Sequence, residues 1–163
     1  MRYKQTLGLG WEWKIPKVLV IYYSRTGNTE KMARAVAEGI REVEGVEVDV
    51  KYHVDAAELA NYDAMVVGTP TYHHDTVLGM KDLFENAAVK GVNLKGKIGA
   101  AFGSYGWSGE GPKLILEIME NKFEMHVIKP PLLIKYTPDQ TALEKCREFG
   151  KTIAERLLQK RLR

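Results

Sequence analysis

Cysteine is almost absent from this chain of 163 residues: Cys146 stands alone, so no internal disulfide can form. That excludes a disulfide-built secreted scaffold and makes the cytoplasm the expected compartment. Long apolar runs are missing too. No stretch approaches the roughly 20 residues that a helix needs to span a bilayer. The opening Met1-Arg2-Tyr3-Lys4-Gln5 is not followed by the apolar stretch of a secretory signal. Charge of one sign is also lacking. Against 24 basic residues stand 21 acidic ones, a net +3 that is too balanced for a nucleic-acid-binding protein. The basic excess gathers at the ends, in Arg2, Lys4, Lys14 and Lys17 and again in Lys160, Arg161 and Arg163. Such ends are either solvated termini or a docking surface for an acidic partner. There is no internal repeat and no low-complexity linker. With 45% hydrophobic and 28% charged residues, the composition is that of an ordinary globular domain. A chain of this length can bury roughly 70% of its unfolded surface in one core.

What is present is an alternation of strand and helix. Residues 17–23 (KVLVIYY) form a continuous apolar, β-branched run, as a strand covered on both faces requires. Residues 28–43 follow as a helix, with Met32, Val36, Ile40 and Val43 at helical spacing. The pattern then predicts strands at 46–52, 63–69 and 97–103 and a helix at 77–89. Pro112 opens a further helix, a position where proline is tolerated. The last strand material, 125–136, is interrupted by Pro130 and Pro131, which predicts an edge strand or one broken in two. A long helix closes the chain over 141–161, with Cys146 on its apolar face as a small core residue. This order argues for an α/β fold, a parallel sheet with helices on both faces. Sheets of that kind bind ligands beyond the carboxyl ends of their strands.

Three strand-following loops carry chemistry. In Ser24-Arg25-Thr26-Gly27-Asn28-Thr29, hydroxyls, a glycine and a helix start converge within six residues. Unpaired N–H groups and the positive end of the helix dipole suit a phosphate there. The plain alternative is that Asn28 merely caps the helix. The second loop, Gly68-Thr69-Pro70-Thr71-Tyr72-His73-His74-Asp75, offers an aromatic ring and imidazoles to a flat ligand. Its histidines are not expected to hold a metal, because neighbours in a short loop rarely share one ion. The third loop, Gly103-Ser104-Tyr105-Gly106-Trp107-Ser108-Gly109-Glu110-Gly111, surrounds two aromatics with glycines. Backbone free of Cβ can approach a ligand closely while Tyr105 or Trp107 covers it.

These loops resemble the three FMN-binding loops of the flavodoxin family. The first matches that family's phosphate fingerprint, and residues 99–109 (GAAFGSYGWSG) are similar to the flavodoxin domain of flavodiiron proteins. The resemblance covers about residues 17–158. It implies a flavodoxin-like three-layer sandwich with a five-stranded parallel sheet of order 2-1-3-4-5, and FMN as cofactor. It assigns residues 17–163 to an FMN-binding domain and leaves 1–16 as an N-terminal arm. Carried over by position, Ser24, Arg25, Thr26, Gly27, Asn28 and Thr29 hold the phosphate. Thr69, Pro70, Thr71, Tyr72 and His73 line one side of the isoalloxazine; Gly103, Ser104, Tyr105, Gly106, Trp107 and Gly109 line the other.

The implied function is electron transfer through FMN between a reduced donor and a redox acceptor, with no catalytic side chain and no metal. The expected partner is a redox protein, an acidic, ferredoxin-like one if the basic ends form a docking surface, and neither nucleic acid nor membrane. Three departures from the family qualify this. No diiron domain precedes the first strand, so a standalone domain is expected. The chain is not acidic, unlike typical flavodoxins. Residues 72–75 (YHHD) lack the glycine that many flavodoxins place near flavin N5, which implies little half-reduced flavin and two-electron behaviour. The alternative is an NAD(P)H:quinone oxidoreductase of the flavodoxin type; a third is a binding module that has lost its flavin. The N-terminal arm holds Trp11 and Trp13, which either cover their own domain or join a homodimer. Two motifs are rejected. Gly8-Leu9-Gly10 starts like a dinucleotide fingerprint, but no strand is expected before it and the final glycine is missing. Residues 91–97 fit GxxxxGK, but Ile98 stands where a phosphate-binding loop needs Ser or Thr.

Overall fold

The structure is a computed structural model that describes residues 4–7, 11–71 and 78–162. Two short strands, β1 (Lys4–Leu7) and β2 (Trp11–Lys14), pair antiparallel as a ribbon of their own. The main sheet begins with β3 (Lys17–Tyr22), whose residues are almost all buried, as the continuous apolar run demands. β3 lies in the middle, parallel to β4 (Glu47–Lys51) on one side and β5 (Ala64–Gly68) on the other. β6 (Ile98–Tyr105) follows beside β5. The last position is filled by two pieces. β7 (His126–Val127) pairs with the start of β6, and β8 (Leu132–Lys135) with its end. Pro130 and Pro131, which cannot donate to a ladder, separate them. Counting the two pieces as one, the order is the expected 2-1-3-4-5, all parallel.

Alternating strand residues feed two cores. Val18, Val20, Val66 and Phe102 face α1 (Asn28–Arg41) and α4 (Gln140–Arg161), meeting Met32, Val36 and Ile40 from the first and Ile153 and Leu157 from the second. Leu19, Ile21, Met65 and Val67 face α2 (Leu78–Val89) and α3 (Glu110–Asn121), meeting Phe84, Ile115 and Met119. Each such side chain taken fully out of water contributes about 1.5–3 kcal/mol. The result is the three-layer sandwich expected, and it sets the carboxyl ends of β3, β5 and β6 side by side at one pole.

The structure corrects several details. A strand does precede Gly8, but β2 rather than a helix follows Gly10, so this is still no dinucleotide loop. A 3-10 turn, Ala56–Asn61, joins β4 to β5 where no element was expected. α3 starts at Glu110, which places Pro112 inside the first turn; its missing N–H costs nothing there, because first-turn N–H groups have no helical partner. No helix among the described residues is long and apolar enough to cross a membrane.

Cys146 is a core residue, as its place on the helix predicts. It is wholly buried, and burial pushes its thiol up to about 12. The thiolate is the reactive form. Ellman's reagent at pH 8 should therefore release no colour from the native protein and one equivalent after denaturation. Prompt native labelling would show that α4 opens readily.

Candidate functional site

The first loop turns at Gly27, whose φ of +90° lies in the left-handed region that glycine adopts without strain. The Gly27 N–H donates to Ser24 Oγ at 3.0 Å, and its carbonyl accepts from the Lys31 N–H at 3.1 Å. Gly27, not Asn28, holds the N-cap position of α1, and no side chain caps the helix. The capping alternative for Asn28 is therefore overturned: Asn28 is already the first helical residue. The uncapped first turn offers its N–H groups and the positive dipole end outward. Nothing lies within 4 Å of where a Gly27 Cβ would stand, so there is space at this turn. Glu30, the acidic residue of that turn, is engaged elsewhere. Its carboxylate accepts from the Tyr22 hydroxyl and from Arg34, each at 3.0 Å. The Arg34 bond, then the Tyr22 bond, hold its carboxyl below the usual range. Arg25 and Thr26 are exposed, whereas Thr29 is buried.

The second loop continues the β5 ladder. The Thr69 N–H donates to the Phe102 carbonyl at 3.0 Å, and Thr69 and Pro70 are both buried. Two glycines let this loop press against its neighbours. A Cβ at Gly103 would meet the Thr69 carbonyl oxygen at 2.0 Å, and one at Gly111 would meet that of Pro70 at 2.6 Å. The Gly111 N–H also donates to Thr71 Oγ1 at 2.8 Å. Gly111 is a bracing residue that the sequence reading did not assign to the site. Its only sequence signal was the density of glycines after β6. Tyr72 and His73 lie outside the described residues, as does the rest of the stretch without glycine.

The third loop is tied to the first from below. Ser104 is buried, and its Oγ lies 3.4 Å from Thr29 Oγ1. Tyr105 is half-buried and Gly106 exposed, while Trp107 stands 90% exposed. A Cβ at Gly109 would meet Leu133 Cδ1 at 2.7 Å, so glycine there lets the loop close onto β8. The structure thus gathers the described candidates at one pole: loop one joins loop three through Thr29 and Ser104, and loop two joins it through Thr71 and Gly111. Trp107 makes the exception, projecting into solvent rather than into the protein. An uncapped helix start with free space fits a phosphate, and an exposed indole beside glycine-rich backbone fits one face of a flat ring.

A doubly wound parallel sheet with an uncapped helix start after its first core strand and glycine-rich backbone at the same pole belongs to the class of α/β domains that bind ligands beyond the carboxyl ends of their strands. The comparisons agree. The family model for flavodoxin matches residues 20–150, and the chain belongs to the flavodoxin family, whose cofactor is FMN. It is 36% identical over 141 residues to a flavodoxin of Clostridium beijerinckii, covering 83% of this chain and 97% of that one. It is 33% identical over 147 residues to the type A flavoprotein fprA of Rhodobacter capsulatus, covering 86% of this chain but 33% of that one. This chain therefore spans about a third of the length of the first relatives it matches. A flavodoxin structure from the domain Archaea superposes with a TM-score of 0.80 at 41% identity, over 86% of this chain and 98% of that one. The family match and these relatives do not favour the quinone oxidoreductase alternative.

Proposed function

We propose that this chain is an FMN-loaded electron carrier in which residues 17–163 form the cofactor domain and 1–16 an appended arm. The observation that carries the reading is the uncapped start of α1 behind Gly27. In it, Ser24, Arg25, Thr26, Gly27, Asn28 and Thr29 hold the FMN phosphate. Thr69, Pro70, Thr71, Tyr72 and His73 flank one side of the ring system, and Gly103, Ser104, Tyr105, Gly106, Trp107 and Gly109 the other. Bound FMN supplies the redox chemistry, while the chain orients it and sets what reaches it. The exposed Trp107 is suited to swing over the ring and shield it from water. Since the chain is not acidic, an acidic, ferredoxin-like protein is the redox partner that its charge fits. The cytoplasm is the compartment consistent with a lone, buried thiol.

The purified protein is expected to be yellow and to release FMN rather than FAD on denaturation. With NADPH and benzoquinone it should turn over negligibly until an electron-donating protein is added. A colourless protein that takes up no added FMN would overturn the reading. Rapid direct oxidation of NADPH would instead favour the quinone reductase.

The arm is proposed to join two copies into a homodimer, because tryptophan is favoured at interface centres. Sedimentation is expected to give twice the chain mass for the full chain and a single mass for one beginning at Pro16. Equal masses for both would remove the interface.

A further inference from the structure

A cavity opens at the same pole as the proposed flavin loops, and among the described residues none of its lining belongs to them. It lies beyond the carboxyl ends of β3 and β4, between the 3-10 turn and α2, and encloses about 330 Å³. That is within the range of about 300–1,000 Å³ that small-molecule sites occupy. Its depth is apolar, formed by Ile21, Val54, Met80 and Leu83. Two tyrosines stand in its wall. The rings of Tyr23 and Tyr52 lie 5.9 Å apart at 32°, and Tyr22 steadies Tyr52 edge-on at 5.5 Å. Tyr52 is 54% exposed, an aromatic surface that the fold leaves uncovered.

The polar groups around this floor are biased. Asp55 holds the N-cap position of the 3-10 turn, yet its side chain makes no capping hydrogen bond. Asp82 lies across the cavity on α2, with Asn86 one turn further along. Among the described lining residues the basic ones are His53, two positions before Asp55, and Lys90, which follows the end of α2. Eight residues separate it from Asp82, about 12 Å at the helical rise. Lys90 therefore stands about two helical turns from Asp82, leaving two carboxylates, Asp55 and Asp82, in the part of the lining away from it. Carboxylates attract a cation, and so do the faces of tyrosine rings.

We infer that this cavity is a binding site for a small planar organic cation, its ring against Tyr23 and Tyr52 and its charged end toward Asp55 and Asp82. The site is separate from the proposed flavin cleft. An occupant would sit beside the start of α2, the helix that follows the second flavin loop.

The test uses protein with FMN added, so that the flavin cleft is filled, and three probes of one shape: benzamidine, benzamide and benzoate. Amide chemical shifts are followed by NMR. Benzamidinium is expected to move residues 52–56 and 79–86 saturably and to bind about fivefold or more tighter than benzamide, with benzoate showing no saturation. Asp55→Asn with Asp82→Asn should reduce benzamidinium to the benzamide level without altering the flavin spectrum, and Asp55→Glu with Asp82→Glu should restore it. Tyr52→Ala should weaken both benzamidinium and benzamide. Equal binding of the three probes, shifts centred elsewhere, or full affinity in the double asparagine variant would each overturn the inference. The flavin spectrum reports separately on the electron-carrier reading, so the failure of one is distinguishable from failure of the other.

Discussion

Alanine at both Thr26 and Thr29 is expected to weaken FMN binding by about a hundred-fold to ten-thousand-fold. The size of the effect follows from the role proposed for this loop, holding the FMN phosphate. A hydroxyl donating to a phosphate makes a charge-assisted bond, worth about 1.5–3 kcal/mol each. Two such bonds come to about 3–6 kcal/mol, and each 1.4 kcal/mol is about tenfold in affinity. The two threonines differ in surroundings. Thr26 is exposed at the turn, so its loss should touch little besides the phosphate. Thr29 is buried against Ser104, with the two hydroxyl oxygens 3.4 Å apart. Removing it leaves the Ser104 hydroxyl buried with one contact fewer, and a buried polar group left unsatisfied costs about 1–3 kcal/mol of stability. Thermal melting of the FMN-free variants separates that cost from the lost phosphate bond. Riboflavin, which lacks the phosphate, supplies the second control. Its affinity should be nearly the same for the variant and the parent, while that of FMN collapses. FMN affinity within threefold of the parent would remove the phosphate from this loop.

The features legible in the sequence were those in which local pattern and global fold agree. The run KVLVIYY could only be a strand buried on both faces, and β3 is one. Pro130 and Pro131 announced a broken edge strand because proline cannot join a ladder, and β7 and β8 flank them. The β1–β2 ribbon escaped notice for the opposite reason. KQTL and WEWK are four residues each, charged and without an apolar run, and an isolated two-stranded ribbon has little pattern to impose. The 3-10 turn buries only Ala56 and Leu59, one i, i+3 pair, too little for periodicity to register. Within the site, Asn28 entered only as an alternative, a plain helix cap, and the structure puts Gly27 there instead. A preference for asparagine at N-caps cannot show that the turn needs the positive φ that Gly27 supplies. Gly111 was passed over because its role depends on where Pro70 arrives from another strand, which no local spacing records.

Two helical glycines far from the loops carry the largest expected effect on stability. By helix propensity alone, Gly39→Ala in α1 or Gly150→Ala in α4 should stabilise the chain by about 1 kcal/mol. The packing says otherwise. A Cβ on Gly39 would stand 1.9 Å from the Arg147 carbonyl oxygen, and one on Gly150 would stand 2.0 Å from that of Val36. In each case the obstacle is the backbone of the facing helix, which cannot rotate away as a side chain can. The helices must part, and they bury Met32, Val36 and Ile40 against Ile153 and Leu157 with no space to spare. Ion pairs beside the crossing, Arg147 with Glu38 at 3.5 Å and Lys151 with Glu42 at 2.9 Å, cannot hold it closed, because exposed pairs contribute only about 0–1 kcal/mol. Overpacking costs about 1–3 kcal/mol in ordinary cores and more where the neighbour is rigid. The net expectation is about 2–3 kcal/mol lost for each single variant, a fall in Tm of about 4–12 °C at this chain length. The two should not add: once one alanine has forced the helices apart, the second finds space, so the double variant should melt close to the worse single one. Because α1 also carries the proposed phosphate loop on its N-terminus, its displacement should lower FMN affinity in the same variants. A Tm at or above that of the parent for either alanine variant would show that the crossing is looser than the glycines require.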